Sequence, residues 1–289
     1  MRHRAVRGHV QSQRAHADRL AVAGERAHGD VHTAIVQGKI RGVNVRILSV
    51  ILLLALTLGP ATPAHAQLIS EAQEVSIGRR AAAELEAEFG LVGDPAQHER
   101  AERIGRRLAA ISGRPGLPWR FRVLNTSQVN AISLPGGFIY VTRGMMSFVQ
   151  STDELAFVLA HEVGHVHERH HVALIQRDFF FTIVIALLLG RDPNTAQIGN
   201  LVGALLNRGF SREAEFAADV AGVRLAHRAG FNAGAGLAFM ERLRVTEGRD
   251  PSKVEVLFRT HPALADRIVR VRSLLKELGY RVALAPARG

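Results

Sequence analysis

From residue 70 to residue 112, apolar side chains recur at helical intervals: Val75, Ile77, Ala81, Leu85 and Phe89, then Ile104, Leu108 and Ile111. That spacing predicts two amphipathic helices, parted around Gly90–Pro95 where glycine and proline interrupt the pattern. Between Trp119 and Asn125 apolar and polar residues alternate, which predicts a strand. Asn130 to Val141 holds two short β-rich runs on either side of Pro135-Gly136-Gly137. Proline and paired glycines suit an edge strand, where another backbone can approach. Asp153–Arg177 reads as one long helix. Phe179–Leu189 is an apolar run of 11 residues, too short for a bilayer that takes about 20. It is expected to be a buried helix, with a membrane-dipping or lid segment as the alternative. Residues 191–209 read as a loop with a short apolar helix. Ser211–Ala229 is a further helix, stopped by Gly230, and residues 234–245 and 263–278 are two amphipathic helices. No repeat or linker interrupts residues 67–289, which are expected to form one domain.

The N-terminal part follows a different pattern. Basic Arg41 and Arg46 precede an apolar core, Ile47–Leu58, of 12 residues. Pro60 and Pro63 break it, and Ala64-His65-Ala66 fits the small-x-small cleavage rule. Residues 43–66 are therefore expected to be a signal peptide cut after Ala66, the alternative being an uncleaved membrane anchor. Residues 1–42 are rich in Arg and His without apolar periodicity and read as a disordered extension. Translation is expected to begin near Val43 or Val45, and a precursor peptide from residues 1–40 would overturn that expectation.

Composition narrows the function classes. The chain is 47% hydrophobic over 289 residues, enough for a good-sized core. Net charge is +11, but residues 1–66 hold nine Lys/Arg against three Asp/Glu, which leaves +5 for the rest. Those remaining basic residues are scattered, with little aromatic interleaving, so no nucleic-acid partner is expected. There is no Cys, which excludes disulfides, thiolate metal ligands, a thiol nucleophile and a lipid-modified N-terminal Cys. Any metal must be held by His and carboxylate.

The chemistry gathers in His161-Glu162-Val163-Gly164-His165. Residues four apart share a helix face, so His161 and His165 can offer two imidazoles to one ion. Glu162, beside the first, can take a proton from an attacking water. Fifty residues on, Ser211-Arg212-Glu213-Ala214-Glu215-Phe216-Ala217-Ala218-Asp219 places Glu215 as a third ligand on a second helix, leaving a fourth position open. Asp219, on the same face, can accept a hydrogen bond from a ligand imidazole N–H. The alternative is a solvated acidic face, against which stand the apolar Phe216, Ala217, Ala218, Val220 and Ala221. His167-Glu168-Arg169-His170-His171 repeats the motif. On a helix positions 161 and 167 point about 120° apart, so the copies cannot share a site. The second carries Arg169 and His170 between its histidines, which are costly to bury beside a dication. The site is assigned to His161 and His165, with His167 and His171 solvated and His170 facing inward as a structural residue.

Four motifs stand in order: Asn130-Ala131 with Pro135-Gly136-Gly137; His161, Glu162 and His165 with a later Arg169-His170; Ser211, Arg212, Glu215, Ala218 and Asp219; and His261-Pro262 with Arg267. Over most of residues 70–280 the chain resembles the M48 family of zinc metallopeptidases, in its bacterial periplasmic branch related to Oma1 and Ste24-type proteases. The resemblance implies an α+β, mostly helical, zincin-like fold with a small β-sheet beside the H-E-x-x-H helix. It implies one Zn2+ per chain on His161, His165 and Glu215, with Glu162 as general base in peptide hydrolysis. Asp219, His261 and Arg267 would then support or regulate the centre. His261 could stabilise the oxyanion, close the open zinc position, or pack with Pro262; Arg267 could pair with a site carboxylate or cap a helix. An extended substrate would pair along Pro135, Gly136, Gly137, Phe138 and Ile139. The implied substrates are unfolded, misfolded or unassembled envelope proteins. The implied location is the periplasm, or the inner membrane if residues 47–58 stay as an anchor, with peripheral membrane contact through residues 179–189. Unlike some relatives, the chain ends at Gly289 without a tetratricopeptide array, and it has no lipobox Cys. The rival reading is a chaperone or assembly factor that binds unfolded segments with little proteolysis.

Overall fold

The computed structural model describes residues 69–177 and 209–281. The expected extension 1–42, the expected signal peptide 43–66 and the apolar run 179–189 lie outside the described residues. By its contacts the chain divides into Met1–Ala66 and Gln67–Gly289, and the architecture below is that of the second unit.

Helix α1, Glu71–Phe89, begins at Ser70, whose Oγ accepts from Gln73 N while Gln73 Oε1 accepts from Ser70 N. This reciprocal cap satisfies two N–H groups that the first turn leaves bare. Gly90 ends the helix with a φ of 67°. Helix α2, Pro95–Ala109, starts on Asp94, which accepts from Ala96 N, with Pro95 in its first turn. The expected break between the two helices is thus made by Gly, Asp and Pro.

Strands β1 (Arg120–Leu124), β2 (Ala131–Leu134) and β3 (Phe138–Thr142) form one sheet in the order β1-β3-β2. β1 and β3 run parallel with Phe121 opposite Ile139; β2 and β3 run antiparallel with Ser133 opposite Ile139. Side chains alternate across β3. Ile139 and Val141 enter the main core, whereas Phe138 and Tyr140 pack with Leu85, Leu124 and Leu134 under α1.

This topology corrects the edge-strand expectation. β3 is the central strand, so the backbones of Phe138 and Ile139 are already paired on both sides. The Pro135-Gly136-Gly137 turn is buried too: Gly136 N donates to Glu74 Oε1 at 3.2 Å, and Gly137 lies against Trp119. The glycines serve the turn itself. Their φ values are 75° and 95°, and a Cβ on Gly136 would stand 2.6 Å from Val75 Cα. Among the described residues, the edges of the sheet are β1, whose outer side meets only an isolated bridge at Leu91, and β2, whose outer side no strand pairs.

Helix α3, Arg143–Phe148, is short and went unpredicted because six residues carry little periodicity. Helix α4, Thr152–His167, starts on Ser151, whose Oγ accepts from Glu154 N. Every residue from Glu154 to Val166 is buried, as befits a helix enclosed on all sides. Helix α5, Arg212–Arg228, crosses it closely. A Cβ on Gly164 of α4 would stand 3.0 Å from Ala218 O, and one on Gly222 of α5 would stand 3.0 Å from His161 Cα. One glycine from each helix therefore lets the two backbones approach. Helices α6 (Ala235–Arg249), α7 (Pro251–Thr260) and α8 (Leu264–Glu277) close the other side. α7 went unpredicted. The core carries fully buried Leu108, Phe121, Leu155, Leu159, Met240 and Leu275, each worth about 1.5–3 kcal/mol over exposure.

The single long helix expected over Asp153–Arg177 is in fact two. α4 ends at His167, residues 168–169 turn, and residues 170–177 are helical again. Arg169 has a φ of 55°, uncommon for a side chain with a Cβ. Its Nε donates to Glu74 Oε2 at 3.0 Å and its Nη2 to Ile69 O at 2.7 Å. The same buried Glu74 accepts both Nη groups of Arg114 at 2.9 Å. A tertiary ion-pair node thus overrides local helical propensity. The whole is mostly helical, with a small mixed sheet beside α4, as expected. No helix among the described residues is long and apolar enough to cross a membrane.

Candidate metal centre

α4 presents His161 and His165 one turn apart, and α5 brings Glu215 against them. His161 Nε2 and His165 Nε2 are 3.1 Å apart. Glu215 Oε2 is 3.5 Å from the first and Oε1 is 3.4 Å from the second. His261, at the end of α7, places Nδ1 3.1 Å from Glu215 Oε1 and 3.4 Å from His161 Nε2. One ligand atom from each of these four residues lies within 4.8 Å of the others, and all four residues are buried.

These residues suit a small cation. Ligands 2.0–2.1 Å from a tetrahedral zinc stand about 3.3 Å from one another, which matches the spacing of the donor atoms. Two imidazole nitrogens facing each other at 3.1 Å can share at most one proton. Glu215 Oε2 is buried without an aligned hydrogen-bond donor, although Arg267 Nη1 lies 2.7 Å away. Charge points the same way. Burial opposes ionisation of Glu215, but His261 and Arg267 hold its carboxyl well below the usual range. Asp219 is likewise lowered, against burial, by Arg267. Burial and Arg267 disfavour a proton on His161, yet Asp219 and Glu215 push it up to about 9. Burial lowers His165 well below the ordinary imidazole value. A proton on His161 therefore does in part what a metal dication would do in full, and a metal would displace it.

The surrounding contacts fix the imidazoles. His161 Nδ1 donates to Asp219 Oδ1 at 3.0 Å, the contact anticipated for Asp219. Arg267 grips Asp219 with two bonds, Nε to Oδ2 at 2.7 Å and Nη2 to Oδ1 at 2.8 Å. Arg267 thus pairs with site carboxylates. His165 Nδ1 meets His170 Nδ1 at 3.0 Å. With Nε2 of His165 turned to the centre, its Nδ1–H donates to His170, which faces inward as expected.

Glu162 is buried, with Oε1 3.6 Å from His261 Nε2 and Oε2 accepting from Ser133 Oγ at 2.6 Å. The expectation that His171 is solvated is overturned. It is 2% exposed, and its Nε2 lies 3.3 Å from Ser133 Oγ. Burial and the neighbouring His170 push its pKa down to about 3. The 120° offset between positions 161 and 167 holds within α4, but carrying it on to His171 assumed a continuous helix, and the break at residues 168–169 removes that premise. His167 is half-buried, with its Nδ1 enclosed, so it too is less solvated than expected.

The sequence reading also passed over Ser133 and Phe210. Phe210 stacks on His165 with ring centroids 4.0 Å apart. Ser133 could have been found from strand alternation, which puts it on one face with Ala131; nothing local marks Phe210.

A family model for peptidase family M48 matches residues 95–275. The chain belongs to peptidase family M48. Several characterised proteins are similar to this M48 chain. It is 32% identical to mitochondrial metalloendopeptidase OMA1 of Schizosaccharomyces pombe over 202 residues, 67% of this chain and 58% of that protein. It is 26% identical to the beta-barrel assembly-enhancing protease of Escherichia coli K12 over 252 residues, 78% of this chain and 52% of that protein. It is 28% identical to metalloprotease LoiP of E. coli K12, covering 75% of this chain and 86% of that protein. The M48 chain thus aligns with only about half to three fifths of the first two relatives.

Proposed function

We propose that this M48 chain is a zinc-dependent endopeptidase acting on unfolded, misfolded or unassembled envelope proteins, with Glu162 as general base. The observation that carries the reading is the set of donor distances among His161, His165, Glu215 and His261, with Glu162 Oε1 facing them. The His/His/Glu chemistry favours zinc. When bound there, the ion supplies Lewis acidity to the scissile carbonyl and lowers the pKa of water. The residues do the rest. Glu162 takes a proton from the attacking water on Oε1 and returns it to the leaving amine. Asp219 and Arg267 keep His161 in one tautomer. An extended substrate pairs with the outer edge of β2, since backbone pairing asks little of sequence. Beside Glu162 and His261, a cavity of about 40 Å³ is lined by Met145, Val158, Phe239, Met240, Leu243 and Phe258. It suits an apolar side chain next to the scissile bond, and its two methionines can yield to admit one. His261 stands at ligand distance and would hold the centre closed until displaced. Export is supported by the signal-like pattern of residues 43–66, and the envelope role by the relative named for enhancing β-barrel assembly.

The test is cleavage of unfolded casein by the purified protein and by Glu162→Gln, with metal analysis of both. The expected result is wild-type cleavage, lost in a variant that keeps about one zinc per chain. Binding of casein without cleavage by the zinc-loaded wild type would favour the chaperone reading. A wild type that takes up no metal would overturn both the cofactor and the activity.

A further inference from the structure

We infer that Ser133 is a positioning residue for Glu162, and that His171 holds Ser133 to that task. The inference rests on the peptidase reading of the site. Ser133 lies on β2, Glu162 on α4 and His171 beyond the Arg169 break, so three elements converge on one hydroxyl. All three side chains are buried.

The hydrogen-bond directions follow from donor counting. A carboxylate only accepts, so the single proton of Ser133 goes to Glu162 Oε2 at 2.6 Å. Ser133 Oγ must then accept from His171 Nε2 at 3.3 Å, which fixes the Nε2–H tautomer of His171. His171 Nδ1 is buried and has no hydrogen-bond partner among the described residues, which an unprotonated nitrogen tolerates better than a bare N–H. Anchored through Oε2, Glu162 is left with Oε1 for the reacting side, 3.6 Å from His261 Nε2.

The break after α4 makes this possible. An unbroken helix would carry residue 171 about 13 Å beyond Glu162 along its axis. Instead Arg169, held in its left-handed conformation by Glu74, turns the chain so that His171 reaches β2.

The test uses the zinc-loaded protein, an internally quenched peptide, and the variants Ser133→Ala, Ser133→Thr, His171→Leu and His171→Gln. Losing a hydrogen bond to a charged group predicts that Ser133→Ala lowers kcat about tenfold. KM and zinc content should stay near wild type, and the melting temperature should fall only modestly, because the buried Glu162 carboxylate and His171 Nε2–H lose a partner. Ser133→Thr should restore most of kcat. His171→Leu should fall in the same direction, and His171→Gln, which keeps a donor at a similar place, should fall less. A second readout is independent of turnover: long-range proton–nitrogen spectra of the histidine rings should show His171 as the Nε2–H tautomer, with that signal displaced in Ser133→Ala. A kcat unchanged in Ser133→Ala, a threonine that rescues nothing, or His171 protonated on Nδ1 would overturn the inference. A wild type that binds zinc without cleaving would defeat the peptidase reading instead, and the ring spectra would still decide the hydrogen-bond chain.

Discussion

Glu74→Ala is expected to destabilise the protein far more than a typical surface change. Glu74 is 1% exposed and accepts four hydrogen bonds: two from Arg114 at 2.9 Å, one from Arg169 at 3.0 Å and one from Gly136 N at 3.2 Å. Removing one partner of a buried ion pair costs about 3–5 kcal/mol, because the other charge is left uncompensated. The two guanidinium groups are not sealed off, with side chains 12% and 20% exposed, and Arg114 keeps Glu71 and the Val166 carbonyl. The lower end, about 3 kcal/mol, therefore applies. For a domain of this size each kcal/mol moves Tm by about 2–4 °C, so the expected loss is about 6–12 °C. Thermal unfolding of zinc-saturated wild type and variant at neutral pH measures it. The pH dependence gives a second reading of the same interaction. Although burial opposes ionisation, Arg114, Gly136 N–H and Arg169 lower the Glu74 pKa below its ordinary value of 4.5. A depressed carboxyl stabilises fully above the unfolded-state value and loses that contribution as pH falls through the folded value. The Tm gap between wild type and Glu74→Ala should accordingly be constant near neutrality and shrink on acidification below about pH 4.5. A gap of less than about 2 °C at neutral pH would refute the claim that this node holds α1, the 135–137 turn and the break after α4 together.

Further outcomes follow from the centre and the helix crossing. His261→Ala is expected to keep about one zinc per chain and raise basal casein cleavage, since its Nδ1 stands at ligand distance; slower cleavage would assign it to the transition state instead. Arg267→Met leaves buried Asp219 and Glu215 without their cation. It should cost about 3–5 kcal/mol in chelator and less with zinc present; equal losses by urea unfolding in both conditions would count against that charge balance. Gly222→Val puts a side chain where even a Cβ would stand 3.0 Å from His161. Stability should fall by about 1–3 kcal/mol, and zinc affinity with it; a wild-type zinc titration would show that α4 and α5 need no such closeness.

Much of the site was readable in one dimension. The four-residue spacing of His161 and His165 is a property of the helix alone, and a helix was expected from Asp153, two residues after the Ser151 cap that the structure shows. Glu215 and Asp219 were legible for the same reason, one turn apart on a helix that Ser211 caps. His170 was placed correctly, but for an incomplete reason. The misreadings share a cause. Phe138 and Ile139 were assigned to an edge because Pro and Gly usually mark one, whereas the sheet order makes β3 central. His171 was assigned to solvent by extrapolating α4 through Arg169, where a carboxylate 95 residues away breaks the helix. Local rules give the period of an element; they do not reveal an ion pair that interrupts it.

What the sequence determined by itself was therefore the inventory: which residues can bind a cation, which helices carry them, and that no thiol takes part. Those follow from side-chain chemistry and from periodicities set by backbone geometry. The tertiary structure alone decided convergence. It brought His261 from the end of α7 to 3.1 Å from Glu215, set Ser133 under Glu162, and left β2 rather than β3 with an unpaired edge. Distances of this kind depend on how close two backbones can come and on which buried charges must be paired. Both are properties of packed neighbours far apart in the chain.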